Sequence, residues 1–324
     1  SDTWWNSGWL ARRKITLDNS ALSANLTSFP VLVTLTSAQI DYAKTKNDGQ
    51  DIRFVDADGT TSLSYQIEKW DESGTSLVWV KVPTVSNNNT DYIWMYYDNP
   101  LAPDNQAPTS VWDSNHKAIY HMTNGSVFSG TDSTGVNTGN ITSATTTSGK
   151  VGLGGSFNGT SSKIIAPASS SLDVSTGTGI TVSGWFYPGD VGGMRPLIEW
   201  GNSGSFGVHM WNYPQSGNIY VNVVDSSGGN HTFQTSGSPL TASAWQHVGF
   251  TYNKSTGAVA LYHNGTSQSI SSSNIGAFTP KTNLDFNIGH RPYSGGQYYY
   301  SGSTDEVRVS DVVRSADWFK AEYN

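Results

Sequence analysis

The sequence predicts an all-β protein made of two tandem β-sandwich or jelly-roll domains. Three observations carry that expectation. Short runs of alternating or mostly apolar residues recur along the 324 residues, clusters of Gly, Asn, Asp and Ser punctuate them, and a proline-rich stretch divides them about a third of the way along. Composition agrees, because only 13% of residues are charged while Gly numbers 34 and Ser, Thr and Asn are abundant. Thr and aromatic residues favour strands, and Gly and Asn supply turn geometry. Two domains of this size can each bury a core.

The first domain spans residues 1–110. Its strands are expected at 13–17, 29–35, 51–55, 63–68, 76–82 and 92–97, each short and bounded by turn residues. Asp56-Ala57-Asp58-Gly59 opens like a calcium loop, but position 12 of such a loop would be Ile67 and not an acidic residue, so an Asp-rich turn is the better reading. Trp79, Tyr92, Trp94 and Tyr96 share a parity opposite to Val78, Val80, Ile93 and Met95 across an expected hairpin. They form an aromatic stripe that is either a second binding platform or a face covered by the N-terminal Trp4-Trp5-Asn6-Ser7-Gly8-Trp9 segment or the other domain.

Pro100, Pro103 and Pro108 then disfavour regular structure, and residues 111–324 form the second domain. Its first strand is expected at 118–122, and a helix at 315–323 with Ser315 as N-cap closes the chain. Asn264-Gly265 supplies the two positive-φ positions of a tight hairpin. Asp305-Glu306 places carboxylates at the start of an otherwise apolar alternating strand, which calls for a cation or for hydrogen-bond donors.

Five motifs in order, Val151 to Gly159, Ile180 to Phe186, Trp245-Gln246-His247-Val248, Asn287-Ile288-Gly289 and Asp305-Glu306-Val307-Arg308, resemble the laminin-G-like jelly roll of the concanavalin A-like superfamily. The first domain resembles the domain of unknown function numbered 2341, through Asp51-Ile52-Arg53-Phe54, the Trp70 to Pro83 block and a Tyr-Tyr-Asp-Asn-Pro ending at 96–100. The resemblance implies an extracellular, secreted or cell-surface, prokaryotic protein. It also implies a structural calcium, with Asp305, Asn158 and Gly159 as ligands and Asp132 as a weaker candidate. The alternative for Asp305 and Glu306 is that they accept backbone N–H bonds.

Twelve Trp and sixteen Tyr stand beside few charges, as stacking on sugar rings requires, although β-sandwich cores use the same residues. Candidates for carbohydrate binding are Trp200, His209, Trp211, Tyr213, Arg291, Tyr293, Tyr298 and Tyr299, with Tyr220, His231 and Phe233 nearby. If Phe206, Val208 and Met210 face the core, period two puts His209 and Trp211 on the opposite, concave face. Three consecutive tyrosines, 298–300, cannot all point inward.

The net charge of −7 without a Lys/Arg cluster argues against nucleic acid and anionic membranes. No apolar run approaches the roughly 20 residues that span a bilayer. The absence of cysteine excludes disulfides, thiol nucleophiles and zinc-thiolate sites. The opening Ser1-Asp2-Thr3-Trp4 carries neither Met nor signal peptide, as in a mature or excised segment. No paired acid and base fits glycoside hydrolysis, and the adjacent Gln246-His247 is not the Gln-x-His strand of jelly-roll lyases. The expectation is a non-catalytic, monomeric module that binds a polysaccharide or glycan. The rival reading is a structural or adhesive spacer of a surface protein, and an accessory role to a polysaccharide-degrading enzyme is compatible with the first.

Overall fold

The computed structural model describes residues 3–213 and 217–324. It divides into two compact units between Asp113 and Ser114. In the first unit the strands Ala11–Thr16, Tyr92–Tyr97, Arg53–Asp56 and Ser62–Leu63 form one antiparallel sheet. Leu26–Leu35, Ser76–Val85 and Tyr65–Lys69 form the other. Alternation buries Phe54, Ile93 and Met95 from the first sheet and Val78 and Val80 from the second. Phe54 meets Tyr65 across the two sheets with ring centroids 5.5 Å apart.

The expected hairpin between the strands holding Trp79 and Trp94 does not form, because the two lie in different sheets. Trp79 therefore leaves the aromatic stripe: it donates to Glu68 Oε2 at 2.9 Å and packs on Trp112. The remaining stripe is covered by the N-terminal segment. Trp5, Trp9, Trp94, Tyr96 and Ala102 pack as a small apolar cluster, and Trp9 Nε1 donates to the Asp51 carbonyl at 2.6 Å. Arg12 lies 4.0 Å over the Trp94 ring.

The proline-rich stretch is part of this unit and not a free linker. Asp51 Oδ2 accepts from Asp98 N and Asn99 N, Arg53 Nη2 donates to the Pro103 carbonyl at 2.7 Å, and Ile67 N donates to Gln106 Oε1 at 2.7 Å. Asp51 and Arg53 are both buried, so these partners satisfy groups that would otherwise be costly to desolvate. Asp56 to Gly59 is a turn, with both Asp58 oxygens accepting from Thr60 and Thr61.

The second unit is a sandwich of a seven-stranded and an eight-stranded sheet. The first runs in the order Asn140–Thr142, Lys163–Ala166, Phe286–Ile288, Arg195–Asn202, Ser205–Asn212, Ile219–Asn222, Thr232–Gln234. Ile164, Ile198, Val208, Met210, Val221 and Phe286 from this sheet meet Val182, Val248, Phe250, Leu261, Val307 and Val309 from the other in one core. Asn264 and Gly265 adopt φ of 48° and 71° and join strands paired His263 to Thr266, which is the expected two-residue hairpin. The helix Ala316–Tyr323 starts where Ser315 Oγ accepts from Trp318 N at 3.1 Å. It lies on the outer face of the eight-stranded sheet, with Phe319 stacked 3.9 Å from Tyr262 and Tyr323 stacked on Trp185.

Candidate functional site on the seven-stranded sheet

The core side of the seven-stranded sheet uses every second residue, and the other side carries Glu199, His209, Trp211, Tyr220 and Asn222. With Met194, Phe206, Tyr213, Asn230, Thr232, Arg291 and Tyr298, all of these but Glu199 line a cavity of about 380 Å³. That size lies within the usual range for small-ligand sites. Sheet register explains the juxtaposition, since Glu199 pairs with His209, His209 with Asn222, and Trp211 with Tyr220. The short ribbon pairing Arg291 with Tyr298 brings the last two to the same place.

Arg291 organises the floor. Its Nε donates to Glu199 Oε1 and Oε2 at 2.9 and 2.8 Å, and its carbon Cζ lies 4.2 Å from the Trp211 ring centre and 4.8 Å from that of Phe206. Trp211 Nε1 donates to Glu199 Oε2 at 3.1 Å. The Gly207 carbonyl is 2.7 Å from His209 Nδ1, which therefore carries the proton, so Nε2 accepts from Arg291 Nη2 at 3.2 Å. Burial, helped by the Arg291 charge, holds His209 down to about 3, so it is neutral. Burial pushes Glu199 up to about 7 against the opposing pull of Arg291.

Of the residues expected to bind sugar, His209, Trp211, Tyr213, Arg291 and Tyr298 come together here. Trp200 does not. It is fully buried in the core, with Nε1 donating to the Leu172 carbonyl and its ring edge-on to Phe286, so it has no face to offer a ligand. Phe233 is likewise a core residue. Trp211 is only 4% exposed under Arg291 and Tyr298, which makes it floor and leaves Tyr213, Tyr220 and Tyr298 as the accessible tyrosine rings beside the half-buried Phe206.

Tyr293 packs edge-on against Phe206, Tyr299 stacks on His290, and Tyr300 is buried in the core, so the tyrosine run sends one ring to each environment. His231 is held by Asp225 and stacked on Phe278.

Two residues of the site, the lining Phe206 and the underlying Glu199, escaped the period-two reading. Phe206 was expected on the core side, but the pairing shifts between Glu199/His209 and Gly201/Phe206, and this bulge turns Phe206 to the cavity. Glu199 had a signal in the sequence that went unused: a lone acid between Ile198 and Trp200 in an apolar strand.

The groups expected to hold calcium do not fit one. Asp305 is fully buried, with Oδ1 accepting from Glu306 N and Oδ2 from Val151 N, both at 2.8 Å. Asn158 Oδ1 accepts from Thr160, Ser161 and Ser162 N as the hub of a turn, and Gly159 supplies its φ of 77°. Asn158 pairs with Ser301, four residues along the strand from Asp305, which separates the two by roughly 13 Å. Asp132 accepts from Ile119, Thr134 and Asn137 N. Among the described residues neither Asp132 nor Asp305 belongs to a cluster of three acidic or histidine ligand atoms.

The model of the concanavalin A-like lectin/glucanases superfamily matches residues 157–319. That of the domain of unknown function DUF2341 matches residues 48–142. No curated protein matches the chain. Among solved structures, domain 4 of AbnA, a GH43 extracellular arabinanase from Geobacillus stearothermophilus in complex with arabinotriose, is similar at 18% identity and a TM-score of 0.50. The match covers 65% of this chain and 98% of that one. The binding domain of Paraclostridial Mosquitocidal Protein 1 matches at 17% identity and a TM-score of 0.50, over 65% of this chain and 52% of that one. At such identities the likeness is one of fold. Through residues 157–319, about half its length, the chain belongs to the concanavalin A-like lectin/glucanases superfamily, in a second domain that follows a DUF2341 domain.

Proposed function

We propose that the second domain is a non-catalytic carbohydrate-binding module, acting outside the cell, that holds a glycan in the cavity on its seven-stranded sheet. The observation that carries this reading is the meeting of three accessible tyrosines with amide, hydroxyl and guanidinium groups in one small-ligand cavity. Rings supply apolar area against the C–H faces of a sugar, and the polar groups read its hydroxyls. Support comes also from the similar arabinanase domain, which was solved with arabinotriose.

A hydrolytic role finds no support in the lining of this cavity. Glycoside hydrolysis takes two carboxyl groups about 5 to 10 Å apart, whereas among the described residues no carboxylate lines the cavity, and Glu199 beneath it is engaged by Arg291 and Trp211. The superficially lyase-like Gln246 spends its amide on Thr241 and Ala244, and His247 packs under the C-terminal helix against Glu322.

Retention on a panel of plant, algal, chitinous and bacterial polysaccharides tests the proposal. Tyr298→Ala is expected to weaken retention about tenfold, equivalent to ~1.4 kcal/mol of lost stacking. Tyr299→Ala, whose ring leans on His290 outside the cavity, is expected to change it little. If the wild-type protein retains no glycan on the panel, the proposal falls and a spacer or adhesive role takes its place.

A further inference from the structure

We propose that the cavity selects an acidic sugar residue, one bearing a carboxylate or a sulfate ester, whose anionic oxygens meet the Arg291 guanidinium. The inference rests on the carbohydrate reading above and narrows it to a ligand class.

The lining is one-sided in charge. Arg291 is its only ionised side chain among the described residues, and no Asp or Glu faces the space. The other polar groups, such as Asn222, Asn230, Thr232 and Tyr220, are uncharged and suit ring hydroxyls. Arg291 is also set up for an anion. Nε is committed to Glu199 and Nη2 to His209, the plane is clamped between Trp211 and Phe206, and Nη1 makes no hydrogen bond among the described residues. A guanidinium fixed in this way presents its remaining donors without further ordering, and planar oxyanions are the groups that match it. The carboxylate that could accept from the hydroxyls of a neutral sugar, Glu199, is fully buried and spent on Arg291 and Trp211.

An anion entering here faces one cation and, below it, one buried carboxylate. The groups around Arg291 are Glu199 from Arg195–Asn202, Phe206, His209 and Trp211 from Ser205–Asn212, Tyr220 from Ile219–Asn222, and Tyr298 from its own ribbon. His209 is already neutral and burial raises Tyr220, which leaves Glu199, at about 7, as the group there that changes charge near neutrality. A bound anion disfavours the Glu199 carboxylate, so binding takes up a proton and weakens as pH rises.

The test is calorimetry on the whole chain with oligogalacturonate, oligomannuronate and a sulfated, uronate-free galactan tetrasaccharide, the first two beside their methyl esters and the third beside its desulfated, neutral counterpart. Titrations are run at about pH 6 and about pH 8 in buffers of different ionisation heat. At least one acidic ligand is expected to bind about tenfold tighter than its neutral counterpart, with net proton uptake. The uronate and sulfate arms tell which anion is taken. Glu199→Gln, which removes the competing charge and keeps the shape, is expected to tighten acidic-ligand binding and abolish its pH dependence. Should Glu199→Gln fail to fold, proton uptake by the wild-type protein remains the readout. Neutral counterparts binding as tightly as every acidic partner would overturn the inference and leave the carbohydrate reading standing. If no saccharide of either kind binds here or is retained by the polysaccharide panel, the carbohydrate reading itself fails.

Discussion

His209 and Glu199 sit 10 positions apart on paired strands and respond to pH with opposite sign. His209 is depressed from 6.5 to about 3, so the unfolded chain binds more protons between those values. Its contribution to stability is present above 6.5 and lost as pH falls toward 3. Glu199 is raised from 4.5 to about 7, so its contribution is present below 4.5 and lost as pH rises through 7. The two oppose between 4.5 and 6.5, and below 4.5 His209 acts alone. Each pKa unit corresponds to ~1.4 kcal/mol, so urea melts of His209→Gln should show an acid-side loss smaller than that of wild type by a few kcal/mol. An unchanged acid slope would show that His209 does not titrate in this way. Residue identity in this site was legible in the sequence wherever a side chain had one use. Arg291 and Tyr298 stood in a Gly-rich loop with no core period to claim them, whereas a Trp serves core and surface alike, and Trp200 and Trp211 were separated only by contacts from distant strands.

At the level of elements, local chemistry was the readable part. Asn264-Gly265 and the Ser315 cap were read correctly because a positive φ and an N-cap hydrogen bond are decided within a few residues. The pairing of Trp79 and the direction of Phe206 were misread because sheet partnership and bulges depend on long-range register. The C-terminal helix shows what such packing contributes. Phe319 is fully buried against Tyr262, and beside it Glu322 receives Arg308 Nη1, Trp318 Nε1 and Ser183 Oγ. Phe319→Ala should cost ~3–5 kcal/mol in a denaturant melt. Calcium is an element-scale question too, since its expected ligands are turn anchors. Adding EDTA to protein purified with calcium should leave the melting temperature unchanged, and a fall would show that an ion bound only to the native state is present.

Across the whole molecule, every residue of the cavity lies in the second unit, between Met194 and Tyr298. Residues 114–324 on their own should therefore keep the glycan affinity of the full chain to within about threefold, and a larger loss would assign the first domain a part in binding. No helix among the described residues is long and apolar enough to cross a membrane.

The bond from Arg53 to the Pro103 carbonyl, and that from Ile67 to Gln106, also set an order of events during synthesis. A chain made from its N-terminus leaves a buried guanidinium and an edge-strand amide waiting through some forty to fifty residues of translation. Only when Pro103 and Gln106 emerge can these two groups meet their partners, and a chain ending before residue 103 would leave both without them.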